Sequence, residues 1–452
     1  MTPIKPHLTR PAISLATAAV LALGGCSVSG TGSTSTASGF QKATSSSGGG
    51  TGVWDEEVLH DISVDVDEKA VTAMIDTYQE SGEKEWIEAT ATIDGTTFET
   101  VGLRLKGNSS LRGVDDDADP ADLPWLVRLD EFVDGQELDG WTDFVVRSND
   151  SETALNEAVA LDLLTEAGLA SEHAVATSFS VNGGEPRLRL VVQALDEAWA
   201  VEHFSTDGLL YKSEAGGDWS WRGTDPDSYS DVFDQETGED DLEPLIDFLD
   251  FLNNSTDAEF ESGLPERLDI DAFARYLAFE DLVANFDDID GPGNNSYLRY
   301  DAESDGFTVV AWDHNLAFGG GPGGGPDGGL PDGDRGTGFG GEPPEGMPEP
   351  PTGERPEGMP EPPTGERPER GSGGPGGRSN VLVERFTAVK VWADLVEQAK
   401  LDLAESLYTS GRADEIVDRW AALLTSEAGH LVDADTVADE ADAVREVITE
   451  GS

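Results

Sequence analysis

A Gly- and Pro-rich segment, residues 319–380, interrupts the chain and limits what it can fold into. Within it the sequence EGMPEPPTGERP occurs twice in tandem, at Glu345 to Pro356 and at Glu357 to Pro368. Such a composition cannot bury enough apolar surface to offset the entropy lost on folding. We therefore expect a disordered insertion with polyproline character, and one folded domain built from residues 54–318 and 381–450 on either side of it.

The first 26 residues have the features of a bacterial lipoprotein signal peptide. A weakly basic start precedes an apolar run, Ala12 to Leu23, that is too short to span a bilayer permanently. The run ends in Leu-Gly-Gly-Cys, which resembles a lipobox, and Cys26 is the only cysteine, so no internal disulfide can form. We expect a lipid on Cys26 to anchor the chain to the outer face of the cell membrane, with the Ser/Gly/Thr-rich residues 27–53 as a flexible tether. The alternative is an ordinary signal peptide with an incidental cysteine.

The net charge of the chain is −63, from 28 Lys and Arg against 91 Asp and Glu. Self-repulsion of this size destabilises a compact state unless salt screens it, which at 1 M happens within about 3 Å. The composition therefore predicts a salt-tolerant or halophilic source. It also excludes nucleic acid as a partner, because phosphate backbones are bound by basic patches.

Asp and Asn side chains lie at the ends of apolar runs between residues 284 and 319. Asp287 ends a helical pattern, Asn295 precedes a short aromatic run, and Asp313 follows the apolar run Phe307 to Trp312. A hairpin of the two runs would place Asn295 beside Asp313. Hard cations such as Mg²⁺ prefer oxygen ligands and usually bind through one or two carboxylates plus substrate phosphates. The alternative is that these acids are loop residues of a chain that is acidic throughout.

A second polar cluster, Lys106-Gly107-Asn108-Ser109-Ser110, directly follows a predicted strand. Glycine and small hydroxyl residues let backbone amides approach a phosphate, and a lysine adds a positive charge. The pattern by itself is also typical of a tight turn. Further along, Ser148-Asn149-Asp150 predicts the start of a helix, and the polar stretch Arg222 to Asp241 predicts a loop.

Four motifs of the chain share one family pattern. They are V-G-L-R-L-K-G-N-S-S at 101–110, N-F-D at 285–287, N-N-S-Y-L-R-Y at 294–300 and A-W-D-H-N-L-A-F-G-G at 311–320. Together they resemble the CotH-type kinases, atypical protein kinases named after a spore-coat protein, and the resemblance covers most of the chain from about Trp54. It implies an α+β, bilobal, protein-kinase-like fold with a β-rich N-lobe and a mainly helical C-lobe. It also implies dependence on ATP and on Mg²⁺, or on Mn²⁺ or Ca²⁺ in its place.

The resemblance also implies roles for individual residues. Asp287 matches the catalytic aspartate, whose carboxylate orients or deprotonates an acceptor hydroxyl. Asn295 and Asp313 match residues that bind the metal ion, which in turn bridges the ATP phosphates. Glu157 is expected to contact the nucleotide; the alternative is that it lies on a solvent-exposed face of its helix and has no such role. The side chains expected to contact the nucleotide are Lys106, Asn108, Ser109, Ser110, Glu157 and Lys212.

Two positions depart from the family pattern. Leu126 stands where relatives often have lysine. The absence of this lysine would remove one basic contact from the site or leave Arg128 to make it. Gln193 stands where relatives commonly have glutamate, which weakens the case for catalysis. Asp288 and Asn315 are reserve ligands, and His314 is expected to be packed rather than catalytic.

The expected activity is transfer of the ATP γ-phosphate to Ser or Thr hydroxyls of a protein at the cell surface. The insertion itself is one candidate acceptor, because each of its repeats carries one threonine, Thr352 and Thr364. The alternative is a catalytically silent binding or structural module that keeps a divalent-metal site. In that case Asp288-Ile289-Asp290-Gly291 could hold Ca²⁺, although the loop has no bidentate glutamate at the EF-hand distance.

Overall fold

The computed structural model describes residues 52–115, 118–214, 217–291, 293–319 and 380–452. Cys26, residues 27–51 of the tether and the repeats of the Gly/Pro-rich segment lie outside these residues, so the predictions about them stay predictions. The predicted tether extends too far at its end, because Gly52–Trp54 forms a 3₁₀ turn in which Val53 is buried in the core. Within the described part of the chain, no helix combines the length and the apolar character needed to cross a membrane.

Seven strands close into a barrel with the order β1–β2–β3–β4–β5–β7–β6. Neighbouring strands are antiparallel except β1 and β6, which pair in parallel and close the barrel. The strands are β1 His60–Val66, β2 Ile87–Ile93, β3 Thr96–Leu105, β4 Trp125–Arg128, β5 Asp143–Val146, β6 Ala174–Val181 and β7 Arg187–Gln193.

The barrel is apolar on both faces where helices cover it. In β5, Phe144 and Val146 belong to one core cluster, whereas Val145 between them belongs to a second cluster shared with the helices. Alternation along a strand sends successive side chains to opposite faces, so a strand buried on both faces reads as an unbroken apolar run.

A second, four-stranded antiparallel sheet has the order β11–β10–β8–β9. Its strands are β8 Gly208–Ser213, β9 Phe233–Thr237, β10 Ser296–Asp301 and β11 Gly306–Ala311. Strand β9 lies inside the stretch predicted as loop, so that prediction was wrong. Only Phe233 and Thr237 of its five residues are buried, and this edge strand therefore lacks the apolar alternation that marks a strand in sequence.

The described residues also form ten α-helices, and several of these begin at a capping aspartate. In α1, for example, the Asp67 side chain accepts a hydrogen bond from the Lys69 amide. The mixture of a barrel, a sheet and helices confirms the α+β class. The helices are α1 Glu68–Ser81, α2 Leu155–Glu166, α3 Glu197–His203, α4 Glu243–Asn254, α5 Asp257–Gly263, α6 Ile270–Leu282, α7 Val381–Ala388, α8 Lys390–Leu403, α9 Arg412–Glu427 and α10 Ala434–Glu450.

Helix α2 begins at Leu155, several residues later than the Ser148-Asn149-Asp150 cluster predicted. Asn149 and Ala154 both have left-handed backbone angles, with φ of +53° each. The intervening segment is held by Glu440 of α10, which accepts hydrogen bonds from the Ser151 hydroxyl at 2.8 Å and the Glu152 amide at 2.9 Å. A partner so far along the chain leaves no local signal, which is why the predicted start was wrong.

Candidate functional site

The predicted hairpin is formed by β10 and β11, which pair from Ser296 opposite Ala311 to Asp301 opposite Gly306. Asn295 directly precedes the first strand, and Asp313 follows the second. Both have left-handed backbone angles, with φ of +52° and +68°. Asn and Asp accept this conformation more readily than most residues, and such positions concentrate at functional sites.

Asp287 lies against the same end of the hairpin. The Asn295 amide nitrogen donates hydrogen bonds to the Asp287 carboxylate at 3.0 Å and to its backbone carbonyl at 2.7 Å. Burial raises the pKa of Asp287, and the negative charge of Asp313 raises it further. The structure therefore brings Asp287, Asn295 and Asp313 together, with two carboxyl groups close enough to repel each other.

Arg147, which no motif indicated, joins Asp313 to Glu157. Its guanidinium contacts the Asp313 carboxylate at 2.5 Å and donates to the Glu157 carboxylate at 2.9 Å from Nε. Glu157 on α2 is only 2% exposed, so the solvated-face alternative for it is wrong. Its contact with the site passes through Arg147. The only sequence signal for Arg147 was a basic residue at the end of an apolar strand in a chain with few basic residues.

A buried carboxylate on α6 ties the two loops of this site together. One Glu280 oxygen accepts a hydrogen bond from the Asn285 amide at 2.9 Å, and the other lies 3.2 Å from His314 Nε2. Burial lowers the pKa of His314, but the charge and the hydrogen bond of Glu280 together with the charges of Glu172 and Glu157 outweigh it, and the pKa rises to about 9. His314 is fully buried, which fits a packing role. Because Asn285 and His314 flank Asp287 and Asp313, Glu280 holds both carboxylates in place.

The Lys106–Ser110 loop continues from β3 into a short 3₁₀ turn, Ser109–Leu111. Gly107 has φ of +102°, and a Cβ there would lie 2.2 Å from the Ser110 hydroxyl, so the turn requires glycine. Asn108 and Ser110 are exposed at its surface. The Lys84 ammonium, from the segment after α1, donates a hydrogen bond to the Gly107 carbonyl at 2.5 Å.

Lys106 and Lys212 lie close together on the side of the site next to Asp313. The Lys106 ammonium is 5.8 Å from the ring centre of Trp312, and the Arg147 guanidinium is 5.4 Å from the same centre. Burial lowers the pKa of Lys106 to about 8, and the positive charge of Lys212 contributes to the shift. Lys212, on β8, also forms an ion pair with Glu214 at 3.0 Å.

Residues 103–448 match the family described as CotH kinase protein, and the match covers well over half of the chain. The chain belongs to the CotH kinase family. It is also similar to the inner spore coat protein H of Bacillus subtilis (strain 168), with 25% identity over 171 residues. That similarity covers 36% of this chain and 46% of the relative, so the chain spans about half the length of the curated relative it matches. The family prediction is confirmed.

Leu126 and Gln193, the two positions expected to depart from the family pattern, have structural roles in this fold. Leu126 is buried and packs in the core cluster that contains α2. Arg128, the proposed substitute for a basic contact, makes a two-pronged ion pair with Asp143, with distances of 2.8 and 2.6 Å. Gln193 is buried, and its side-chain oxygen accepts a hydrogen bond from the His173 amide at 3.1 Å.

Asp288 and Asn315, the reserve metal ligands, both make hydrogen bonds within the fold. Asp288 accepts hydrogen bonds from the Asp290 and Gly291 amides at 3.0 and 2.9 Å, so its carboxylate stabilises the turn proposed for Ca²⁺. The Asn315 amide nitrogen bonds to Asp150, but its oxygen is buried and accepts no hydrogen bond from the described residues. Over the described ranges, no three His, Cys, Asp or Glu side chains gather as a ready-made metal site.

Proposed function

We propose that this chain is a CotH-like protein kinase that transfers the γ-phosphate of ATP to Ser or Thr hydroxyls of a protein. The observation that supports this most is that acidic and basic side chains lie side by side at one site, in a chain whose net charge is −63. Asp287 and Asp313 face each other at the hairpin end, and the cationic side chains Lys106 and Lys212 lie beside them. Phosphoryl transfer requires mainly this combination of positioning and charge stabilisation.

The barrel with α2 fits the N-lobe of such a kinase, and the four-stranded sheet with the later helices fits the C-lobe. In the proposed step, the acceptor hydroxyl loses its proton to Asp287 while its oxygen forms a bond to the γ-phosphorus. The bond from that phosphorus to the β-γ bridging oxygen breaks, and ADP leaves. Burial and the Asp313 charge already raise the pKa of Asp287, which suits a group that must accept a proton.

The oxygens of Asp313 and Asn295 fit the ligand set of Mg²⁺ or Mn²⁺, which use few carboxylates and complete their coordination with phosphates. A divalent cation bound there would neutralise charge on the β- and γ-phosphates. The contact of Arg147 with Asp313 would orient the carboxylate, and Glu157 would hold Arg147 in turn. Glu157 therefore acts as a positioning residue in this proposal.

The test is transfer of labelled γ-phosphate by the full chain purified in detergent, in molar salt, with Mg²⁺, Mn²⁺ or chelator. We expect metal-dependent transfer that is lost in Asp287→Asn and kept in Asp271→Asn, a matched change at an exposed position of α6. Mapping the labelled sites shows whether Thr352 and Thr364 are acceptors. Transfer that survives Asp287→Asn would contradict the proposal.

The alternative, a silent surface module that retains a metal site, is favoured by one contact. The Arg147 guanidinium lies 2.5 Å from Asp313 and already neutralises the carboxylate that would bind the metal. The same experiment separates the two functions. Nucleotide and metal binding without any turnover would establish the silent module, and no nucleotide binding at any salt concentration would exclude the kinase.

We also propose that the protein is anchored at the outer face of the membrane through Cys26. The lipobox-like sequence before this cysteine supports the proposal. In fractionated cells, Cys26→Ala is expected to move the protein from the membrane to the soluble fraction, because an acyl chain supplies the anchor. A variant that stays with the membrane although its signal peptide is cleaved would count against lipidation.

A further inference from the structure

A cavity of about 270 Å³ is lined by the segment before β1, helix α2, the segment before β6, the end of α3 and helix α9. Asp287, Asn295 and Asp313 of the proposed kinase site do not line it. Its volume falls just below the range of about 300–1,000 Å³ that is usual for the pockets of drug-sized ligands. The cavity therefore suits a smaller molecule, and the proposed function does not use it.

Carboxyl side chains make up much of the wall of this cavity. Glu57 and Glu166 are exposed, as acids at the surface of a chain of charge −63 are expected to be. Glu56 and Glu172, in contrast, are 9% and 6% exposed, and the Asp162 side chain is 16% exposed. Buried carboxylates are rare in proteins unless a cation or hydrogen-bond donors pair with them. The partners of these three buried acids therefore indicate what the cavity can bind.

Arg419 of α9 is the cation that pairs with two of the buried acids. Its guanidinium lies 3.1 Å from the Glu56 carboxylate and also donates a hydrogen bond to Asp162. The Trp420 indole donates a second hydrogen bond to Asp162 at 2.7 Å. Burial and the charge of Asp162 raise the pKa of Glu56 to about 7, although the charges of Arg419 and His173 oppose the rise. These two carboxylates therefore bind N–H donors, and they share one arginine.

Glu172, in the segment between α2 and β6, has no comparable donor. One of its carboxylate oxygens is buried and accepts no hydrogen bond from any residue that the structure describes. The adjacent Ser171 hydroxyl donates elsewhere, to the Leu161 carbonyl at 2.9 Å. The His173 ring likewise pairs with Glu202 at 3.0 Å. A buried carboxylate without a donor costs free energy that a cation in the cavity would recover.

We propose that the cavity binds a small organic cation whose ammonium group donates hydrogen bonds to the Glu172 carboxylate. A primary ammonium carries one positive charge and three N–H donors, whereas a carboxylate only accepts, so the two groups are complementary. The buried Ile416 side chain and the His173 ring also line the cavity and offer contact to the alkyl part of such a molecule. A metal ion fits less well, because no three His, Cys, Asp or Glu side chains in the described ranges converge as ligands. The proposal does not rest on the proposed kinase activity.

The experiment measures binding of butylammonium to the full chain in detergent by calorimetry, in molar NaCl at pH 9. Molar salt suppresses the attraction of any cation to the exposed acids but screens a buried pair much less. We expect saturable binding that Glu172→Gln weakens about tenfold, through the loss of one charge-assisted hydrogen bond. Glu384→Gln, at an exposed position of α7, removes the same charge outside the cavity and should bind as the parent does. Tetramethylammonium has the same charge but no N–H group, so it should bind far more weakly.

Thermal unfolding separates a lost ligand contact from a damaged fold. At pH 9 the Glu172 carboxylate is charged and buried in the folded chain, so Glu172→Gln should unfold at the parent temperature or above it. Butylammonium should raise the unfolding temperature of the parent, because it binds the folded state, and should raise that of Glu172→Gln much less. A second variant, Thr165→Lys, places an ammonium on the α2 wall of the cavity and should exclude butylammonium.

Three outcomes would overturn the proposal. The first is a parent chain that binds no butylammonium, and the second is equal affinity of the parent and Glu172→Gln. The third is equal binding of butylammonium and tetramethylammonium, which would mean that charge alone attracts both. None of these outcomes bears on the proposed kinase, because phosphate transfer and its loss in Asp287→Asn are measured separately.

The affinity for butylammonium should rise with pH. Burial raises the pKa of Glu172 to about 8, against the charges of His314 and Arg147, and the charge of Glu157 adds to the rise. An alkylammonium has a pKa of about 10.4, as the lysine side chain does, and stays protonated over this range. Because the ammonium binds the carboxylate form, binding should strengthen from pH 7 to pH 9, and most of this change should disappear in Glu172→Gln. A parent affinity that is constant or falls over this range would contradict the assignment of Glu172 to the site.

Discussion

Replacing Asp313 by asparagine is expected to abolish metal-dependent phosphate transfer while the fold persists. The substitution keeps the shape of the side chain, and asparagine accepts the left-handed backbone angle of +68° at this position. It removes the charge that would hold a divalent cation against the phosphates. Loss of one preorganised electrostatic contact at a reacting group typically costs on the order of 10² to 10³ in rate, and we expect at least that loss.

The measurement is the rate of γ-phosphate transfer at saturating ATP and metal, with thermal unfolding recorded for the same samples. Asp313→Asn should unfold close to the parent temperature, because one half-buried carboxylate contact to Arg147 becomes an amide contact. The exposed Asp271→Asn variant controls for the loss of one negative charge. A rate within a few-fold of the parent value would remove Asp313 from the proposed mechanism.

The same substitution has a second, separable consequence at Asp287. The pKa of Asp287 is raised by burial and, in addition, by the Asp313 charge. Removing that charge lowers the pKa of Asp287, so any residual activity should begin at a lower pH than in the parent. The pH at which residual activity begins therefore reports the interaction between the two carboxylates. If Asp313 had a purely structural role, that pH would not change.

Sequence reasoning found the parts of the site that local patterns determine. Asn295 and Asp313 flank two strands joined by a short turn, and hairpin pairing brings the ends of such strands together without any distant contact. Gly107 was found as part of a loop motif, and its positive φ is a local property. The resemblance to the CotH kinases then supplied the roles, which neither spacing nor composition could assign.

The parts that sequence reasoning missed depend on contacts between distant residues. Arg147 reaches Asp313, 166 positions along the chain, and Lys84 reaches Gly107, 23 positions away. The start of α2 is set by Glu440 on the last helix. In each case a charged side chain finds its partner only after the barrel and the helices have packed. The hydrophobic periodicity of a single sequence predicts helices and strands, but it does not indicate which distant charged residues will pair.

Arg147→Met should strongly destabilise the protein. The Arg147 side chain is 14% exposed and the Glu157 side chain 3%, so the change leaves a buried carboxylate without its cation. Breaking a buried pair in this way costs about 3–5 kcal/mol, whereas an exposed pair contributes about 0–1 kcal/mol. We therefore expect a large fall in the denaturation midpoint for Arg147→Met. Arg187→Met, at a half-exposed arginine with ion pairs to Asp119 and Asp122, should cause only a small one.

A double variant identifies the cause of the destabilisation. If the cost of Arg147→Met comes from the stranded carboxylate, adding Glu157→Gln should recover part of the lost stability, because the buried charge is gone. If Arg147 instead contributes through packing on Trp312, which its guanidinium approaches to 5.4 Å, the two losses should simply add. Recovery of stability without recovery of phosphate transfer is the expected result, since Asp313 would still lack the cation that orients it.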